Sequence, residues 1–77
     1  MNRIRRKSLQ DIINQLEELK GSLEDLQEEE EDYRDNGIPE NLQNSEKYDK
    51  ANEACDNLSD AVSNLEDVIS SIEAATE

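Results

Sequence analysis

The spacing of the apolar residues is the feature that most constrains the fold of this chain. In the first half, the spacing alternates between three and four residues, at Leu9, Ile12, Leu16, Leu19, Leu23 and Leu26. In the second half, the same alternation continues through Ala51, Ala54, Leu58, Ala61, Leu65, Val68, Ile72 and Ala75. Because this spacing places the side chains along one side of an α-helix and is typical of coiled coils, it predicts two long amphipathic helices.

A short segment of turn-forming residues separates the two tracts. Asn36-Gly37 favours a left-handed C-cap for the first helix, and Pro39 prevents that helix from continuing. Ser45 is suited to be the N-cap of the second helix. The sequence therefore predicts one all-α domain over residues 1–77, with helix 1 at about 3–35, a turn at 36–44 and helix 2 at about 45–75.

Two helices of matched length with a short connector favour an antiparallel two-helix coiled-coil hairpin. In the expected register, Leu19 lies opposite Leu65 and Leu23 lies opposite Ala61, so that some layers combine a large residue with a small one. A register displaced by one heptad is the alternative.

Helix 2 carries a further apolar row beside this seam, which contains Cys55. In the corresponding row of helix 1 only Ile13 is apolar, because the residues that follow it at heptad spacing are Lys20, Gln27 and Arg34. We therefore expect a single hairpin to leave part of this apolar surface exposed. Contiguous exposed apolar surface usually marks a protein interface. The simplest partner is a second copy, which gives a homodimeric four-helix bundle, and the alternative is a helix of another protein. The predicted oligomer interface is Ile13, Tyr48, Cys55, Val62 and Ile69.

The formal net charge is −13, with 21 acidic and 8 basic residues. A field of this sign disfavours nucleic acid and anionic membranes as partners and favours a basic protein surface. The expected acidic partner-binding face is Glu28, Glu29, Glu30, Glu31 and Asp32. The expected basic patch is Arg3, Arg5, Arg6 and Lys7. In a hairpin this patch would lie near Glu73 and Glu77, and in a dimer with antiparallel first helices it would meet the partner's acidic run.

The residue inventory argues against catalysis. The chain has no histidine and two glycines, so it offers no imidazole base, no carboxylate-histidine metal motif and no glycine-rich phosphate loop. We expect a protein that is not an enzyme, with no catalytic residues, no cofactor and no metal. Cys55 is expected to be a small core or interface residue, with a disulfide between copies or a redox role as the alternative. No apolar run suits a signal peptide or a membrane span, which predicts a cytoplasmic location.

The segment QLEELKGSLEDLQEEEEDYRDN, followed by IPENLQNSEKY, resembles small acidic proteins encoded by phages and mobile elements of Gram-positive bacteria. The predicted architecture is also similar in shape to Rop, a dimer of helical hairpins that binds RNA. Together with the charge, these features imply an acidic interaction module that binds a basic surface of a partner protein. One form of it is a phage-encoded inhibitor that mimics nucleic acid, of the anti-defence or anti-CRISPR type. The alternatives are a Rop-like RNA-binding dimer that uses the basic N-terminus and a structural or assembly adaptor of a phage.

Overall fold

The computed structural model describes residues 1–42 and 45–77, and it confirms an all-helical chain built on two long helices. Helix α1 spans Arg3–Asp32 and helix α2 spans Glu46–Ala75. A π-helical turn at Tyr33–Gly37 and a 3₁₀ turn at Glu40–Leu42 lie between them. The long helices pack against each other as an antiparallel hairpin. Residues 43 and 44 of the expected turn lie outside the described residues.

Polar side chains mark the ends of the helices. The Oδ1 of Asn2 accepts a hydrogen bond of 2.8 Å from the backbone N of Arg5, which satisfies one of the free amides in the first turn of α1. Ser45 occupies the N-cap position of α2 with an extended backbone. At the other end of α2, the Thr76 hydroxyl donates a hydrogen bond of 2.7 Å to the Glu73 carbonyl. Both helices are 30 residues long, so they can pack against each other along the whole length of the hairpin.

The turn after α1 differs from the expected one. Asn36 and Gly37 do not adopt the left-handed conformation, since no residue in the described part of the chain has a positive φ. The chain instead widens into the π-helical turn, in which Asn36 Nδ2 donates a hydrogen bond of 2.8 Å to Asp32 Oδ1. A Cβ on Gly37 would lie 2.9 Å from Cδ1 of Tyr33, so glycine is favoured here by close packing. Ile38 follows with an extended backbone and closes this end of the core.

Two polar contacts between the helices define their axial register. The Nζ of Lys20 lies 3.7 Å from Oε1 of Glu66, and Nη1 of Arg34 donates a hydrogen bond of 3.0 Å to Oδ1 of Asn52. In both pairs the residue on α2 lies two positions beyond the one that the expected register assigns. Because a heptad slip would displace the partner by seven positions, the observed register is close to the expected one.

The helices face each other through rows that differ partly from the expected rows. Ile13, Cys55 and Ile69 are each 4% exposed, and Ala51 is 3% exposed. The Ile13 row continues along α1 and into the π-helical turn through side chains that are all half-buried: Lys20, Gln27 and Arg34. The leucine row that begins at Leu9 stays half-buried in the seam as expected, whereas the Ile12 row is exposed. On each helix one expected seam row is kept, and the other is replaced by the row one residue further along. Because one residue corresponds to a step of about 100° around the helix, the centre of the seam is rotated about the helix axis by about 50° from the expected orientation.

The expectation that one folded copy leaves the second apolar row exposed is wrong. All five predicted interface residues are buried or half-buried within the single hairpin: Ile13, Tyr48, Cys55, Val62 and Ile69. The row that contains Cys55 is bulkier than the alanine-rich row of α2, and burying it removes more apolar area from water. Helix α1 accommodates it because Lys20 and Arg34 can bury their stems while their charged groups stay at the edge of the seam. These five residues are therefore seam residues.

The hairpin is a thin rod. Its extents are 59 × 15 × 12 Å, and its radius of gyration is 17.4 Å, against about 11 to 12 Å for a compact domain of this length. None of the helices in the described residues is both long and apolar enough to cross a membrane. Within the same residues no side chain larger than Ile lies in the core, so the rod is almost all surface.

Candidate interaction surfaces

One long side of the hairpin is apolar and exposed. On each helix it is formed by the row one position before a buried seam row, and because the helices are antiparallel these two rows lie on the same side. The exposed fractions are 44% for Ile12, 58% for Leu19, 54% for Leu26, 43% for Tyr33 and 47% for Val68. We call this surface the apolar side; its residues are Ile12, Leu19 and Leu26 of α1, Tyr33 of the π-helical turn, and Ala54, Ala61, Val68 and Ala75 of α2.

The borders of the apolar side carry little charge. The bordering positions are Ser8, Gln15, Ser22 and Glu29 on α1 and Lys50, Asn57, Asn64 and Ser71 on α2. Of these positions only Glu29 and Lys50 are charged, and both lie near the loop end, where Nζ of Lys50 pairs with Oε1 of Glu46 at 3.2 Å. The rest of the apolar side is bordered by uncharged polar groups. In a chain with 21 acidic residues, this distribution separates charge from exposed apolar surface. The centre of a protein interface has the same composition, since charged residues are depleted there.

The opposite side of the hairpin is acidic. We call it the acidic side, and its exposed carboxylates include Glu17, Glu24, Glu28, Asp56, Glu66 and Glu73. The ion pair between Lys20 and Glu66 and the hydrogen bond between Arg34 and Asn52 also lie on this side. Further acids follow the outer edges of both helices: Asp11, Glu18, Asp25, Glu53, Asp60 and Asp67. The hairpin therefore presents carboxylates in every direction except that of the apolar side.

The run of five acids at 28–32 does not form one face. Successive residues step about 100° around a helix, so five in succession encircle it. Three of them are exposed, whereas Glu30 and Glu31 are half-buried. Glu31 also accepts a hydrogen bond of 3.2 Å from Nε2 of Gln27. A partner that approaches from one direction can therefore contact only part of this run, and the acidic side is the larger continuous surface.

The basic residues at the start of α1 are exposed. Nζ of Lys7 pairs with Oδ2 of Asp11 at 3.3 Å, one turn along the same helix. Among the ion pairs of the described residues, none joins this segment to α2, so the expected contact with the C-terminal glutamates is not observed. By heptad position, Arg5 continues the apolar side and Arg3 continues the acidic side.

Arg34 joins the turn to α2. Its Nε donates a hydrogen bond of 2.9 Å to Oδ1 of Asp35, its Nη2 reaches Oδ2 of the same carboxylate at 3.4 Å, and its Nη1 reaches Asn52. The hydrogen-bonded carboxylate raises the pKa of Arg34, and the guanidinium lowers the pKa of Asp35. Both groups therefore stay charged at neutral pH, and the fork of the guanidinium holds the loop end against α2.

Cys55 is a free, buried cysteine in the seam, so the expectation of a small core residue is confirmed. Its burial raises the pKa of the thiol; the positive charge of Arg34 opposes this, and the carboxylates of Glu31 and Glu30 add to it. Because the thiolate is the reactive form of cysteine, a raised pKa lowers the reactivity of this residue at neutral pH.

The sides of the rod are the surfaces on which binding can be argued. Within the described residues, no group of three or more Cys, Asp or Glu is arranged to hold a metal ion, and no pocket is present. The apolar side is not predicted by the apolar spacing, which assigns Leu19, Leu26 and Val68 to the interior. The uncharged borders, especially Ser22 and Asn64, are the signal in the sequence that could have revealed it.

The fold and its surfaces define the chain as an acidic two-helix hairpin with one apolar side. Comparison with protein-family models, with curated proteins and with solved structures gave no match to this chain. The chemistry of its two opposite sides is therefore the feature of the hairpin that bears on its function.

Proposed function

We propose that this chain is a non-enzymatic protein-interaction module that binds a basic surface of a partner protein through its acidic side. The observation that carries the proposal is the separation of charged and apolar surface onto opposite sides of one rod. Complementary charge raises the rate of association and selects partners of opposite sign. A hairpin with exposed carboxylates on one side can therefore bind a basic protein while its other side is occupied.

The partner class that best fits this surface is a protein that itself binds nucleic acid. Glu17 and Glu24 lie one heptad apart on the acidic side, about 10 Å along the helix axis of a rod that is 59 Å long. These carboxylates form a rigid array of negative charge that could bind in a cleft whose basic residues normally contact phosphates. The module would then inhibit a nuclease or regulator by occupying that cleft, as a small phage-encoded inhibitor of a host defence would.

We also propose that the working form is a cytoplasmic homodimer, in which two hairpins form a four-helix bundle. The support is the amount of apolar surface that one copy leaves exposed, because Leu19 and Leu26 are both more than half exposed. In such an assembly the acidic sides face outwards, and the partner-binding surface is displayed twice.

Charge neutralisation on the acidic side tests the proposal. We expect Glu17→Gln, Glu24→Gln and Glu73→Gln together to weaken capture of the partner from a lysate of the organism that encodes the chain. The matched control is Glu18→Gln, Asp25→Asn and Asp67→Asn, which removes the same charge from the outer edges. Capture by the wild type should be displaced by DNA and by salt. Equal capture by both variants, or capture insensitive to salt, would contradict a specific acidic side.

The RNA-binding alternative makes a different prediction. It places binding at Arg3, Arg5 and Arg6, whose guanidinium groups are on exposed residues at the free end of the hairpin. An electrophoretic mobility shift with generic RNA and DNA at physiological salt is expected to show no complex, because the net charge of −13 repels phosphates. A shift that disappears when these arginines are replaced by glutamine would support the alternative and reject the proposal.

A further inference from the structure

We infer that the apolar side binds a second copy of this chain face to face, with the two loop ends at opposite ends of the bundle. This inference rests on the proposed homodimer and names its surface and its orientation. Three observations favour a second copy as the partner of this surface: its area, its composition and the charge along α1.

The area fits a second copy. A compact protein of 8.8 kDa is expected to expose about 4,800 Å², whereas this hairpin exposes 5779 Å². The excess of about 1,000 Å² is comparable with the roughly 800 Å² that each partner contributes to a standard interface. One flat side of a rod with extents of 59 and 15 Å offers an area of the same order, so two copies can cover each other.

The composition of the surface also fits a copy of itself. The half-buried Leu9 row of the seam lies between the exposed Ile12 row and the row that begins at the buried Ile13, so the apolar surface is continuous from the core to the outside. Away from the loop end, where Glu29 and Lys50 lie, the borders are uncharged, so two such surfaces can meet there without burying unpaired carboxylates. A flat surface on an acidic rod would otherwise bring two strongly negative molecules into contact, and the uncharged part of the borders removes the nearest repulsion.

The charge along α1 selects the orientation. Arg5 lies at the free end of the apolar side, and Glu29 borders it at the loop end. If the loop ends pointed the same way, the two acidic loop ends would be adjacent and would repel. With the loop ends opposed, Arg5 of each copy lies near Glu29 of the other, and opposite charges meet at both ends of the bundle.

The inferred dimer places its two-fold axis near the middle of the exposed row on α1. With the two-fold axis at the level of Leu19, Ile12 of one copy is level with Leu26 of the other, and Arg5 is level with Tyr33. Large apolar side chains then meet along the two first helices, while the alanines of α2 allow the second helices to approach closely.

Disruption of the apolar side is the first test. Leu19→Asp with Leu26→Asp is expected to raise the dimer dissociation constant, measured by sedimentation equilibrium, by at least about 100-fold. Both leucines are more than half exposed in one copy, so the variant should keep its helical circular dichroism. The control Ser63→Asp with Ser70→Asp adds the same charges seven residues apart on exposed positions of the opposite side and should leave the constant nearly unchanged. A wild type that stays monomeric at high concentration would overturn the inference.

Distances between spin labels test the orientation without disrupting the surface. Single cysteines at Ser8 or Ser22 are labelled in a Cys55→Ala background, and double electron–electron resonance measures the separation between copies. Opposed loop ends predict a separation of about 35 Å at position 8 and less than about 20 Å at position 22. Short separations at both positions would mean that the loop ends point the same way, and would overturn the inferred orientation.

The two proposals can fail separately. Capture of a basic partner is measured on the same variants, and it depends on the acidic side alone. A confirmed opposed dimer without salt-sensitive capture would reject the proposed binding function and keep this inference. A monomeric wild type that still captures a partner through its acidic side would do the reverse.

Discussion

At the scale of single residues, the two glycines have opposite environments. A Cβ added to Gly21 would have no heavy atom within 4 Å, since the residue is exposed in the middle of α1. Gly21→Ala is therefore expected to stabilise the hairpin by about 1 kcal/mol, because alanine restricts the unfolded chain and favours the helix. For a domain of this size that corresponds to a rise in Tm of about 4 to 8 °C in thermal denaturation at a fixed protein concentration.

Gly37 provides the matched comparison. A Cβ there would lie 2.9 Å from Cδ1 of Tyr33, so Gly37→Ala must displace the ring. We expect this variant to gain no stability, and its tyrosine fluorescence to change relative to the wild type. A gain equal to that of Gly21→Ala would show that the ring is not packed on the turn.

Cys55 gives the stability of the hairpin a dependence on alkaline pH. Burial raises the pKa of its thiol in the folded state, so the folded chain holds this proton more tightly than the unfolded chain does. The contribution to stability is complete below the pKa of the unfolded state, and it is lost as the pH rises towards the higher pKa of the folded state. In urea denaturation, the advantage of the wild type over Cys55→Ala should therefore shrink above about pH 8.5.

The reaction of Cys55 with a disulfide reagent checks the same burial independently. At pH 8 and in the absence of denaturant, the rate is expected to be at least about tenfold lower than in urea. Equal rates would mean that the seam opens freely around this residue.

At the scale of the helices, the sequence predicted the number, length and antiparallel packing of the elements but not which rows face inwards. The hydrophobic spacing marks three adjacent apolar rows on α2, which begin at Tyr48, Ala51 and Ala54. A seam between two helices can bury only two of them. The Cys55 row is buried in preference to the alanine-rich one, and α1 follows with a row that contains Lys20 and Arg34. The spacing of apolar residues could not predict which rows are buried, because Lys and Arg are counted as polar. Their aliphatic stems can nevertheless cover a seam from its edge.

The turn shows the same limitation in a smaller element. Asn36-Gly37 is a common signal for a left-handed helix end, yet the chain forms a π-helical turn in which Asn36 bonds back to Asp32. The sequence signal identified the place where α1 ends. It did not identify the packing of Tyr33 on Gly37 or the burial of Ile38, which depend on contacts formed only after the hairpin closes.

The contacts of Arg34 lead to a prediction about how the turn is held. Arg34→Lys keeps the charge and the helix propensity but cannot reach both Asp35 and Asn52 with a planar fork. We expect a lower Tm and faster hydrogen exchange of the Ile38 amide. The control Arg6→Lys makes the same change on an exposed residue near the free end and should alter neither quantity. Equal behaviour of the two variants would show that the fork does not hold the loop end.

At the scale of the whole molecule, the small core and the large surface have the same cause. Two helices in contact bury one narrow seam, and in the described residues that seam and the turn hold five buried apolar side chains: Ile13, Ile38, Ala51, Cys55 and Ile69. The sequence predicted correctly that apolar residues would exceed what one hairpin can cover, and it assigned that excess to the wrong rows. The exposed row is the one that begins at Ile12, and it is separated from the acids on which the proposed partner binding depends.

The opposed orientation of two copies predicts a difference between two neighbouring arginines. Arg5 continues the apolar side and would lie near Glu29 of the second copy, whereas Arg3 continues the acidic side, away from the interface. Arg5→Glu is therefore expected to raise the dimer dissociation constant severalfold at low salt, and Arg3→Glu, with the same change in charge, should raise it much less. In 0.5 M salt the Debye length falls to roughly 4 Å, so the difference between the variants should largely disappear. Sedimentation equilibrium of both variants at the two salt concentrations measures the dissociation constants. An equal effect of the two substitutions at low salt would show that only net charge matters. The first helices would then not meet as inferred.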